Sequence, residues 1–160
     1  MNKKILFWGA KYKAGIIYNL IQNNKTLNTD SSFTIKYLFD PNLSKAQFLS
    51  NAKFSNTKKD LVLFLKKANY FVTCIGNEQG KARYFISKEL EKKKIKPLNI
   101  ISKDAYVSDQ KLLGKGVQIF PHAIAHHNAK VGDYSILNTG SILEHDCQIG
   151  NGVHIMPGAV

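Results

Sequence analysis

The chain has 160 residues, a hydrophobic fraction of 44% and a formal net charge of +12, the make-up of one ordinary globular domain or two small ones rather than of a disordered segment. Only one of its 23 basic residues is an arginine, Arg83, which speaks against sequence-specific nucleic-acid readout, where bidentate guanidinium contacts carry the recognition. No apolar run approaches the roughly 18 residues of a membrane span, residues 5–10 are too short an apolar stretch for a signal peptide, and Cys74 and Cys147 form no CxxC pair, which fits reduced thiols in a cytoplasmic protein without a cysteine metal site.

The charge is unevenly spread. Residues 1–102 hold 19 Lys and Arg against 6 Asp and Glu, and residues 103–160 hold 4 against 5; a change of that kind divides the chain into two modules, 1–102 and 103–160. In the first, residues 4–9 (KILFWG) are an apolar run stopped by Gly9, which predicts a buried strand. Residues 13–23 place Ile16, Ile17, Leu20 and Ile21 at helical spacing. Residues 34–40 (TIKYLFD) read as a second strand ended by Pro41, and residues 59–67 as a helix. Residues 70–75 (YFVTCI) form a third strand stopped by Gly76, residues 81–94 a charged helix, and residues 97–101 (PLNII) a fourth short strand. Strands alternating with helices predict an α/β domain with a parallel sheet. Ligands of such sheets bind beyond the carboxyl ends of the strands. Here those ends are Gly9 to Lys13, Asp40 to Asn42, and Gly76-Asn77. The first turn lacks GxGxxG, so a dinucleotide oxidoreductase is disfavoured. Gly9, Lys11 and Lys13 beside a helix N-terminus remain candidates for a phosphate, and Asp40 for hydrogen bonds to a ribose or base. Each also has a plain structural role open to it: a tight turn, solvated lysines, a turn before proline.

From Ala105 the sequence repeats every six residues. The third residue of each unit is Val107, Leu113, Ile119, Ala125, Val131, Leu137, Leu143, Ile149 and Ile155, and the first is small or aliphatic in all units but that of Lys111. Period six with an aliphatic residue at a constant position predicts a triangular parallel coil with those side chains inside. Gly114, Gly132 and Gly150 are spaced by one three-sided coil and are expected to stack along one corner.

The segment Asn138-Thr139-Gly140-Ser141-Ile142-Leu143-Glu144-His145-Asp146-Cys147-Gln148-Ile149-Gly150, continued by Gly152-Val153-His154-Ile155-Met156-Pro157-Gly158-Ala159, resembles the signature of hexapeptide-repeat sugar acyltransferases, the group of sialic-acid O-acetyltransferases and bacterial UDP-amino-sugar N-acetyltransferases. The resemblance implies a Rossmann-like α/β domain followed by a left-handed parallel β-helix, of which about three coils are present. It implies a homotrimer, acetyl-CoA as co-substrate bound between neighbouring β-helices, and a UDP-linked amino sugar or other glycan precursor held by the N-terminal domain. On that likeness His145 is the general base and Asp146 the acid that orients it. His154, Asn138 and Gly158 lie toward the acyl donor, and Gly9, Lys11, Lys13 and Asp40 toward the nucleotide.

The chemistry asks for the same residue types. Acyl transfer from a thioester needs a base for the nucleophile's proton, and histidine titrates near neutrality. His145 occupies a turn position, and either Asp146 or Glu144 can fix its tautomer. His122, His126 and His127 read as stacked turn residues rather than metal ligands, and no metal is expected. The repeat stops mid-unit at Val160, and the resembling family's solenoids run on for several more coils. That predicts a truncated form which binds a sugar nucleotide as a trimeric module and transfers acyl groups poorly.

Overall fold

The computed structural model describes residues 2–76 and 78–160; Asn77, one of the strand-end positions singled out above, lies outside the described residues. The N-terminal part comprises β1 (Lys3–Trp8), α1 (Tyr12–Gln22), β2 (Phe33–Phe39), β3 (Lys53–Ser55), α2 (Lys58–Lys67), β4 (Tyr70–Thr73), α3 (Gly80–Glu91) and β5 (Lys96–Pro97). The five strands form one parallel sheet in the order β3-β2-β1-β4-β5. β3 is an edge strand absent from the sequence expectation, because three residues (KFS) are too short to show a period.

Alternation along β1 sends Ile5 and Phe7 to one face and Leu6 to the other. Ile5 and Phe7 pack with Ala14, Ile17 and Ile21 of α1, and with Phe120 and Ile136 of the C-terminal part. Leu6 packs with Phe64 of α2, Leu90 of α3 and Tyr134. Both faces of the sheet are thus covered, as a parallel sheet requires.

The expected fourth strand, residues 97–101, is divided. Pro97 ends β5 beside β4, whereas β6 (Ile100–Ile101) already pairs with the C-terminal repeat. There follow β7 (Tyr106–Val107), β8 (Gln118–Ile119), β9 (Ile124–Ala125), β10 (Lys130–Val131), β11 (Ile136–Leu137), β12 (Ile142–Leu143), β13 (Gln148–Ile149) and β14 (His154–Ile155). Ile100, Gln118, Ile136 and His154 form one parallel ladder, Tyr106, Ile124 and Ile142 a second, and Lys130 and Gln148 a third, with 18 residues between successive rungs. The result is a three-sided parallel solenoid, and its core contains all nine third-position side chains.

The corner glycines stack, but for a reason of space. A Cβ on Gly132 would lie 2.4 Å from the carbonyl carbon of Gly150, and one on Gly114 would lie 2.8 Å from that of Gly132. None of the three has a positive φ, so at Gly114 and Gly132 it is coil-to-coil approach, and not a left-handed turn, that excludes a side chain, whereas a Cβ on Gly150 would meet open space.

Candidate active site

The carboxyl ends of β1, β2 and β4 open on a cleft of about 940 Å³ between the sheet and the solenoid. Gly9, Lys11, Lys13 and Asp40 all line it, with Trp8, Tyr12, Cys74 and Gly76 from the sheet side and Phe120 and Asn138 from the solenoid side. Topology brings them together: parallel strands end on one edge, and the first turn of α1 starts there. Gly9 has φ +101°, and a Cβ on it would sit 3.1 Å from the Cys74 carbonyl oxygen; both the backbone angle and the approach of β4 require glycine.

Asp40 is 6% exposed. The Ala10 N–H donates to its Oδ2 (3.1 Å) and the Asn42 N–H to its Oδ1 (3.0 Å). It therefore ties the first loop to the end of β2, and both its oxygens already accept backbone protons. Lys11 is exposed at the N-cap of α1.

Lys13 is half-buried, with its Nζ 4.9 Å from the centroid of the Phe120 ring. Burial, reinforced by the nearby Arg83 charge, lowers its pKa to about 8. An amine in that state is ready to gain a counter-charge. Cys74, behind it, is fully enclosed, and burial holds its thiol far above the ordinary range.

His145, Asp146 and Glu144 occupy an exposed solenoid corner. The His145 Nδ1–H donates to Asp146 Oδ2 at 2.9 Å, and the His145 backbone N–H approaches Glu144 Oε2 at 3.4 Å. Asp146 stands at φ +60°. Its N–H donates to the His127 carbonyl (2.9 Å), and its Oδ1 accepts from Asn128 Nδ2 (3.1 Å). The hydrogen bond to Asp146, then that carboxylate's charge, raises the His145 pKa above 6.5; the same bond, with that from Asn128, lowers that of Asp146. With Nδ1 engaged, Nε2 is the free base position.

The corner triplet does not line the cleft. Asn138 lines the cleft, and its Nδ2 lies 3.0 Å from Nε2 of His154 on the next coil. Gly158 lies apart, at an exposed turn with φ +67°, its N–H donating to Thr139. Among the described residues no group of three or more His, Cys, Asp or Glu is disposed to hold a metal ion, and no helix is long and apolar enough to cross a membrane.

Two contributors escaped the sequence reading. Asn128 was findable by subtracting one coil of 18 from Asp146. Arg83 was visible only as the lone arginine. It is 0% exposed, and it donates to the carbonyls of Ile75 (3.0 Å), Tyr134 (2.7 Å), Gly152 (2.8 Å) and Val153 (3.2 Å), joining α3 and the cleft wall to two coils.

No family model matches the chain. It is 33% identical over 96 residues to a GDP-perosamine N-acetyltransferase of Escherichia coli O157:H7; the match covers 60% of this chain and 42% of that relative, so the chain spans about two fifths of the relative's length. Among solved structures, a histidine variant of perosamine N-acetyltransferase from Caulobacter crescentus, in complex with CoA and GDP-perosamine, superposes with a TM-score of 0.82 at 18% identity, over 98% of this chain and 70% of that one. The acetyltransferase domain of PglB from Neisseria gonorrhoeae, in complex with acetyl coenzyme A, gives 0.75 at 22% identity, over 99% and 72%. These two share the fold; the first relative shares sequence as well. Taken with the six-residue register, they show that the chain has the fold of these sugar acetyltransferases and, over 96 residues, is homologous to one of them.

Proposed function

We propose that the chain is an acetyl-CoA-dependent acyltransferase acting on an amino or hydroxyl group of a nucleoside-diphosphate sugar in the cytoplasm, within bacterial surface-glycan synthesis. Its sheet domain is read as Rossmann-like, its solenoid as a left-handed β-helix, and its assembly as a homotrimer. The observation that carries this is the His145–Asp146–Asn128 hydrogen-bond chain on the solenoid corner, in a chain homologous to a GDP-perosamine N-acetyltransferase. The nucleotide is left as a class, because the two perosamine N-acetyltransferases named above act on or bind a GDP-sugar whereas the signature also resembles UDP-sugar enzymes.

In this reading the cleft holds the acceptor. Lys13 and the first turn of α1 meet the diphosphate, and Asp40 keeps the loop in shape. His145 Nε2 takes a proton from the acceptor nitrogen or oxygen as that atom bonds to the thioester carbon. Asp146 stabilises the imidazolium through Nδ1–H. The carbon–sulfur bond then breaks, and His145 returns its proton to the departing thiolate, so atoms and charge balance. His154, with Asn138, stands toward the acyl donor.

The test is thiol release from acetyl-CoA in the presence of GDP- and UDP-linked amino sugars. Turnover that disappears in His145→Asn, with sugar-nucleotide affinity kept, is the expected result. Unchanged turnover in that variant removes His145 as the base. Nucleotide-sugar binding with no turnover in the parent chain leaves the non-catalytic binding module.

A further inference from the structure

The corner that carries His145 holds a second imidazole to which the proposed chemistry gives no part. His126 lies on the preceding coil, and its ring centroid is 6.3 Å from that of His145 at an interplanar angle of 70°, an edge-to-face arrangement. On its other side the Tyr106 ring, 55% exposed, lies 6.2 Å away. Tyr106, His126 and His145 thus form an aromatic ladder up successive coils. An exposed side chain on a solenoid turn ordinarily samples several rotamers; here His126 is held, because the His127 backbone N–H donates to its Nδ1 at 2.8 Å. That bond fixes which way the His126 ring faces.

We propose that His126 is a positioning residue for His145: its ring, held edge-to-face against the His145 imidazole, keeps Nδ1 on the Asp146 carboxylate and Nε2 turned outward. The inference rests on the reading of His145 as base. The groups that face this corner are Glu144, Asp146 and His127 from the coils around it, with Tyr106 above. The carboxylates of Asp146 and Glu144 favour a charged His145, and the role of His126 is steric, through the placement of its ring. An aromatic edge contact contributes by geometry more than by strength, so the effect belongs to orientation and not to folding.

The test is nitrogen-15 spectroscopy of the His145 ring in the parent chain, His126→Ala and His126→Phe, which needs no turnover. The parent should show one tautomer, with Nδ1 protonated. His126→Ala should move His145 toward the tautomer mixture of a free imidazole, at unchanged melting temperature. His126→Phe, which keeps an aromatic edge, should restore the parent signature. Where turnover is measurable, His126→Ala should lower kcat about tenfold at constant KM, as lost alignment of a catalytic group does. An unaltered His145 tautomer in His126→Ala overturns the proposal; so does failure of His126→Phe to restore it. His126→Leu serves as the ring-free variant if the alanine form does not fold. Loss of the His145 base role would appear separately, as unchanged turnover in His145→Asn.

Discussion

At the scale of single residues, the site's character follows from what each titratable group touches. His145 and Asp146 are both 66% exposed, so their bond acts on orientation and proton affinity, not on fold stability. A base works only when deprotonated. With His145 as the proposed base, its raised pKa should move the acidic limb of kcat/KM above 6.5, with activity rising as pH climbs through it. Replacing Asp146 by Asn should return that limb toward 6.5 and lower kcat by about 10–100-fold, within the range of general-base catalysis; a pH–rate profile reads both effects. Lys13 makes the complementary prediction. Its pKa is about 8 in the free protein, and an anionic ligand favours the ammonium. Affinity for a nucleoside diphosphate should fall as pH rises past 8, and the Lys13→Met variant should be both weaker and flat across that range by isothermal titration calorimetry.

At the scale of elements, α3 is fastened to the solenoid by groups that a helix pattern does not reveal. Arg83 places a guanidinium among four backbone carbonyls with no carboxylate partner among the described residues, and burial lowers its pKa to about 10. Its removal takes a donor from the carbonyls of Ile75, Tyr134 and Gly152, whereas that of Val153 still accepts from the Ile136 N–H at 2.8 Å. Arg83→Met should cost about 1–3 kcal/mol in urea unfolding, the usual penalty for orphaned buried polar groups. Arg83→Lys should recover only part, since one ammonium cannot reach three segments at once.

Nearby, Lys88 bonds both Glu91 and Asp133 at 3.1 Å, and the Tyr134 hydroxyl donates to Glu91. Burial pushes both carboxyl groups up. The bonds from Tyr134 and Lys88 to Glu91, and from the Lys115 N–H and Lys88 to Asp133, more than reverse it and leave both pKa values lowered. A carboxylate with a depressed folded pKa stabilises the fold above its unfolded value and loses that contribution as pH falls through the folded one. This seam should therefore loosen below the ordinary 4.5 of a glutamate, detectable as a drop in melting temperature that Glu91→Gln blunts.

At the scale of the whole molecule, the cleft and the His145 corner are separate surfaces of one chain. The proposed trimer would set one copy's corner against a neighbour's cleft. Mixing a cleft-defective variant, Lys13→Glu, with His145→Asn should then restore part of the turnover that each lacks; no restoration would place the whole site within one chain.

The repeat made the solenoid legible in the sequence alone, because a coil that buries one side chain every six residues must write that period into the chain. The parallel sheet was legible for a similar reason: apolar runs stopped by glycine or proline mark buried strands. The Glu-His-Asp corner could be read because its members are neighbours in sequence. The remainder depended on tertiary contacts that carry no local period. β3 was too short to show one, and the division of residues 97–101 turned on which partner strand lay beside each half. Asn128 and His126 meet the corner only after the chain has gone once around a coil. Asp40 became a loop anchor when the backbone N–H groups of Ala10 and Asn42 arrived at its oxygens. Arg83, the lone guanidinium in a lysine-rich chain, acquired its role only when α3 closed against carbonyls some 50 to 70 residues away.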